Sequence, residues 1–145
     1  MLNRLFALIL LIILTPVIVF LSIIIIISDG FPVFFTQKRI GYLNSKFRLI
    51  KLRTMKNNTP ILATHLIDDP HKHYILFGSI IRKLSLDELP QLLNIIKGDM
   101  LFVGPRPALY NQYDLISLRS KYDIHKIKPG ITGWAQINGR DELSI

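Results

Sequence analysis

The chain has 145 residues, enough for one compact domain with an anchor but not for two full domains. It carries 18 Lys and Arg against 10 Asp and Glu, a formal net charge of +8, and no cysteine. The charge favours anionic partners such as nucleic acid, lipid headgroups or phosphorylated substrates. The missing thiols exclude disulfides, thiolate zinc sites and a cysteine nucleophile.

From Leu5 to Ile27 no residue is charged. At ~1.5 Å rise per residue, a helix over this run could cross the ~30 Å hydrocarbon layer. The run is too long for a cleaved signal peptide, and no small-x-small cleavage pattern follows it, so residues 1–28 are expected to persist as a membrane anchor. Thr15-Pro16 lies near its middle, where proline removes one helix hydrogen bond and crowds the carbonyl four residues back, and a kink is expected there. Arg4 precedes the run, while Lys38, Arg39, Lys46, Arg48, Lys51, Arg53 and Lys56 follow it, and this excess assigns the following chain to the cytoplasm. A spanning helix and one that bends at Pro16 to return to its own face both satisfy these charges.

After a turn at Asp29-Gly30-Phe31-Pro32, Val33 to Thr36 reads as a short strand ending at the basic Gln37-Lys38-Arg39. Tyr42 to Asn44 turns again, and Phe47 to Arg53 partly alternates apolar with basic residues, which predicts a small hairpin near the membrane surface. Attraction to lipid headgroups, ~1 kcal/mol per basic residue, accounts for most of these charges. Asn57 to Pro70 reads as a surface loop, and His65, His71, His73 and His125 receive no chemistry. Tyr74 to Lys83 and Leu89 to Lys97 have short helical spacing, and Ala108 to His125 is the longest soluble helical candidate, stopped by Lys128-Pro129-Gly130. The fold class is α+β, mainly helical.

Ser85-Leu86-Asp87-Glu88-Leu89-Pro90 is the most informative stretch. Ser85 and Glu88 are spaced as a capping box, yet Pro90 prefers the first helical position, so Asp87 and Glu88 could instead occupy the turn before a helix. Either placement sets two carboxylates beside free amides. A pyrophosphate could approach such a pair only with a divalent cation between them, with Mg²⁺ the natural candidate; one carboxylate can then hold the metal while the other attacks phosphorus. In Gly104-Pro105-Arg106-Pro107 the prolines stiffen the backbone around Arg106, whose planar fork suits phosphate. Trp134, the single tryptophan, sits in the glycine-rich stretch from Lys128 to Arg140, where core or interface packing is its expected role. No RNA- or DNA-binding module is recognisable, and no nucleic-acid partner is expected.

Together, the anchor with Thr15-Pro16, Phe34 through Gly41, Lys51 through Met55, Ser85 through Gln91, Lys97 through Met100, Val103 through Pro107 and Lys128 through Arg140 resemble the bacterial sugar transferase family, the small monotopic phosphoglycosyl transferases. The resemblance implies a re-entrant membrane helix broken at Thr15 and Pro16, and a cytoplasmic catalytic domain over residues 29–145 at the bacterial inner membrane. It implies transfer of a sugar 1-phosphate from a UDP-sugar to undecaprenyl phosphate with release of UMP, as the first step of surface glycan synthesis such as O-antigen, capsule or exopolysaccharide. Asp87 would attack, Glu88 would hold Mg²⁺ and Arg106 would bind phosphate, with Lys51, Arg53, Gln136 and Arg140 around the substrate. Membrane lipids and downstream glycosyltransferases are the further partners it implies. Relatives continue past Asn138-Gly139-Arg140 with further acidic and aromatic residues, so the expectation is an incomplete C-terminal end. A catalytically inactive, membrane-bound relative is the alternative reading.

Overall fold

A computed structural model describes residues 1–59 and 69–138. Helix α1, Leu2–Asp29, runs as one element through Thr15 and Pro16, so the expected break does not divide the helical run. Proline removes only one donor, and the hydroxyls along α1 keep to its own backbone: Thr15 Oγ1 donates to Leu11 O at 2.7 Å and Ser22 Oγ to Ile18 O at 2.6 Å. Among the described residues this is the one helix long and apolar enough to cross a membrane.

The helix is also part of the domain it precedes. Its C-terminal half gives Leu21 and Ile25 to a core with Val33, Leu52, Ile75 and Ile81. Its N-terminal half gives Ala7 to a second core with Leu49, Leu92, Ile95 and Met100, flanked by Leu10, Leu11 and Leu14. The opposite faces, including Leu5, Ile9, Ile12, Ile13, Phe20 and Ile23, are bare. A helix that is apolar all round but packed on one side must meet something apolar on the other.

Strands β1, Phe34–Ile40, and β2, Lys46–Leu52, form the expected hairpin, in register from Phe34 opposite Leu52 to Ile40 opposite Lys46. Strand β1 runs past Thr36 through the basic residues, because its far end gains a second partner. Arg39 and Ile40 pair with β4, Ala108–Leu109, giving the order β2-β1-β4. That pairing shortens the long helix expected from Ala108. Helix α4 is Tyr113–Lys121, and a separate 3-10 turn follows at Ile124–Lys126.

The helix expected from Tyr74 is likewise only α2, Gly78–Lys83. Tyr74 bridges to Met55 and Ile75 N donates to Thr54 O at 3.2 Å, which draws that segment into extended pairing before Phe77 turns left-handed at φ 58°. Helix α3 is Leu92–Lys97, closed by Gly98 at φ 93°, a conformation glycine adopts without strain.

Sequence periodicity gave no sign of two short strands, β3, Leu101–Val103, and β5, Gly130–Thr132, which pair in parallel. Their approach demands glycine, since a Cβ on Gly130 would overlap Gly104 N and the Val103 carbonyl carbon, and one on Gly133 would overlap Gly104 O. The obstacle is backbone and cannot swing aside. Gly130→Ala is therefore expected to destabilise by about 3 kcal/mol, the upper end for overpacking, read as a lower urea midpoint with unchanged slope. After β5, helix α5 is Trp134–Ile137.

Candidate active site

The acid pair lies inside a 3-10 helix, Leu86–Gln91, that runs directly into α3. The chain turns helical before Pro90 rather than at it, so the acids are in the first turn and not in a preceding loop. The capping box does not form. Ser85 is left-handed at φ 57° and makes no side-chain cap bond, and its carbonyl instead accepts from Glu88 N at 3.1 Å. Tight winding sends the neighbouring acids apart: Asp87 is buried beside Pro90 and Gln91, while Glu88 faces an open cleft.

Lys51, on β2, reaches both acids. Its Nζ is 2.7 Å from Glu88 Oε1 and 3.7 Å from Asp87 Oδ2. Arg106 Nη1 approaches Glu88 Oε1 from the other side at 3.7 Å. The cleft is lined by Arg39, Leu49, Lys51, Glu88, Gln91, Arg106, Pro107, Gly130 and Ile131. Two cations thus approach one half-buried carboxylate, and Arg39 adds a third to the cleft lining, an arrangement that suits a polyanionic ligand. Burial is the main cause that pushes the Asp87 carboxyl above its ordinary 3.8, and Lys51 opposes this while Glu88 adds to it. Asp87 is accordingly a poorly solvated carboxylate behind Glu88, with the Lys51 ammonium 3.7 Å away.

Asn94 positions Lys51. Strand β2 is an edge of its sheet, and the wholly buried Asn94 completes that edge with its side-chain amide. Ile50 N donates to Asn94 Oδ1 at 3.1 Å, and Asn94 Nδ2 donates to Arg48 O at 2.8 Å and to Asp99 Oδ2 at 3.1 Å. The amide stands where a neighbouring peptide would, locking β2 to α3 beside the acids.

Other expected site residues fall elsewhere. Arg53 is buried with its guanidinium taken up at the exit of α1, where it bonds Asp29 Oδ2, Asp29 O at 3.2 Å, Gly30 O at 2.6 Å and Pro32 O at 2.6 Å. This clamps the anchor to β2 and leaves Arg53 out of the basic cleft. Gln136 donates through Nε2 to Ile131 O at 3.2 Å, behind the cleft wall, with Oε1 buried and unpartnered among the described residues. Arg140 and His65 lie outside the described residues. Trp134 is 80% exposed and Ile137 70%, so Trp134 does not fill the core. Thr15 and Pro16 sit mid-helix, far along the chain from the acids.

Sequence reasoning passed over Arg39, Gln91 and Asn94, and also Arg82, whose charge lowers the Asp87 pKa. The spacing of Arg82 and Gln91 to Asp87, five before and four after, was the available signal. Nothing in the sequence pointed to Asn94.

Glu88 offers the kind of hard oxygen donor that Mg²⁺ would take. A hard dication that keeps several waters needs only one or two carboxylates when phosphate oxygens complete its shell. Among the described residues no group of three or more acid or histidine side chains gathers, and Glu88 is the carboxylate that would hold the ion.

The acid pair, Lys51 and Arg106 thus meet on one α+β domain against which the apolar helix α1 packs. The sequence model for the bacterial sugar transferase family matches residues 1–145, and the chain belongs to that family of transferases. It is 45% identical over 131 residues to the uncharacterized sugar transferase EpsL of Bacillus subtilis, covering 90% of this chain and 63% of EpsL. It is 36% identical to the exopolysaccharide production protein ExoY of Sinorhizobium fredii, covering 97% of this chain and 68% of ExoY. Against the UDP-glucose:undecaprenyl-phosphate glucose-1-phosphate transferase of Escherichia coli K12 it is 38% identical over 92% of this chain, which corresponds to 29% of that protein. The chain thus spans about two thirds of the first two relatives and under a third of the last.

Proposed function

We propose that this chain moves a sugar 1-phosphate from a UDP-sugar to undecaprenyl phosphate through a phosphosugar carried on Asp87. The observation that carries the reading is the buried Asp87 carboxylate beside Glu88, with Lys51 and Arg106 converging on the pair. An Asp87 oxygen attacks the phosphorus that bears the sugar, the P–O bond to the nucleotide breaks, and UMP leaves. An oxygen of undecaprenyl phosphate then attacks the same phosphorus, the aspartyl P–O bond breaks, and the carboxylate is regenerated. Charge balances without a net proton. Arg106 and Lys51 bind and orient the phosphates, and burial keeps water from Asp87. Mg²⁺ held by Glu88 would supply neutralisation of the pyrophosphate charge. UMP release from a UDP-sugar with Mg²⁺ tests the reading. Arg106→Lys, which keeps the charge but loses the fork, should lose far more rate than Lys46→Ala at the start of β2. Equal losses would make Arg106 only a solvated turn residue, and no UMP from any form would favour an inactive membrane-bound relative.

The anchor enters and leaves the inner membrane by its cytoplasmic face. In support, both ends of α1 rest on one body: the Arg4 guanidinium lies against Gly98 after α3, and Asp29 is clamped by Arg53. Cysteines placed at Asn3 and Ser45 should both react from the cytoplasm. Periplasmic labelling at Asn3 would reject this arrangement.

A further inference from the structure

We propose that Arg119 is a positioning residue that aims Arg106 at Glu88 by holding the Arg106 backbone carbonyl. This rests on Arg106 being a phosphate ligand of the transfer site.

Pro105 and Pro107 have no N–H, so the stretch that carries Arg106 has little donor capacity with which to anchor itself. It is fixed through its acceptors instead, and three consecutive carbonyls are each met by a different element. Pro105 O accepts from Gly130 N of β5 at 3.1 Å, Arg106 O from Arg119 Nη1 of α4 at 2.7 Å, and Pro107 O from Arg39 Nη1 of β1 at 3.0 Å.

The three grips are not equivalent. Gly130 belongs to a strand, and Arg39 is itself held by Gln37 Oε1 at 3.1 and 2.7 Å. Arg119 makes one hydrogen bond among the described residues, the one to Arg106 O, and no ion pair there. A half-buried guanidinium with a single acceptor has that acceptor as its structural purpose, and a charged donor makes the bond a strong one. The middle carbonyl is also the one that matters for aim. The Arg106 side chain is 35% exposed and stands 3.7 Å from Glu88 Oε1, so side-chain packing alone does not fix it. If the 106–107 peptide is freed to rotate, the guanidinium swings with it.

The test uses the full chain in lipid nanodiscs with ¹⁵N-arginine, the Arg106 Nε–Hε signal being assigned by its loss in Arg106→Lys. In Arg119→Gln the heteronuclear NOE of that signal should fall toward that of a solvated arginine. Arg119→Lys, which keeps a charged donor but not the fork, should fall between. In parallel, Arg119→Gln should slow UMP release roughly 10- to 100-fold, the scale of a small misplacement of a catalytic group. It should cost nothing further in an Arg106→Gln background, because a residue that acts through another has no effect once the other is gone. An unchanged Arg106 signal in folded protein, or losses that multiply in the double variant, would overturn the proposal. Should Arg119→Gln not fold, Arg119→Lys decides by the same readouts. A changed signal without UMP release by any form would sink the transfer reading and leave the positioning standing, and the reverse pattern would do the opposite.

Discussion

Asp87→Asn is expected to stop UMP release, by at least roughly 10³-fold as for loss of a nucleophile, while leaving the protein as stable as the parent or more so. The two outcomes share one cause. Burial raises the Asp87 pKa above its ordinary 3.8, so the folded state holds that proton more tightly than the unfolded chain does. The favourable contribution of the protonated acid is fully present below its unfolded pKa and is lost as pH rises through the higher folded value. At neutral pH the ionised acid is a cost, and the neutral amide removes it. The melting temperature of Asp87→Asn should therefore exceed that of the parent at neutral pH, and the gain should vanish in acid. Activity should show the complementary limb, falling as pH drops through the raised pKa, and Lys51→Met should move that limb to higher pH because Lys51 holds the value down. A destabilised Asp87→Asn would mean that the acid serves the fold rather than the reaction.

Removal of α1 should unfold what remains. The helix covers Val33, Leu52, Ile75 and Ile81 at one end and Leu49, Leu92, Ile95 and Met100 at the other. Burying one such side chain fully is worth about 1.5–3 kcal/mol, against a total stability of about 5–15 kcal/mol for a domain. Re-exposing even part of both cores exceeds that margin. Residues 30–145 alone should lack dispersed amide signals and aggregate, whereas a well-folded soluble fragment would show α1 to be a detachable anchor.

Much of this was legible in the sequence, wherever one physical signal acted locally. The uncharged run from Leu5 to Ile27 gave α1, the alternation from Phe47 gave β2, and Asp87-Glu88 and Arg106 stood out by their local chemistry, while Lys51, which meets the acids, was implied only by the family resemblance. The rest depended on tertiary partners. Ala108 and Leu109 join β1 instead of a helix because Ile40 and Arg39 offer an edge, and Tyr74 is drawn away from α2 by Met55. Strands β3 and β5 are three residues each, too short for a period to register. Arg53, matched with Lys51 by spacing, differs from it because the end of α1 presents a ring of carbonyls that only the folded chain brings near. Asn94 looks like an ordinary polar helix residue until the free edge of β2 lies against it.

The central claim, that Asp87 carries the sugar phosphate, is tested most directly by mass spectrometry of the protein after incubation with a UDP-sugar and Mg²⁺ in the absence of lipid acceptor. The account predicts a phosphosugar adduct on the peptide containing Asp87, located on that residue, absent in Asp87→Asn and discharged when undecaprenyl phosphate is added. An adduct on Glu88, or UMP release with no adduct on either acid, would contradict it.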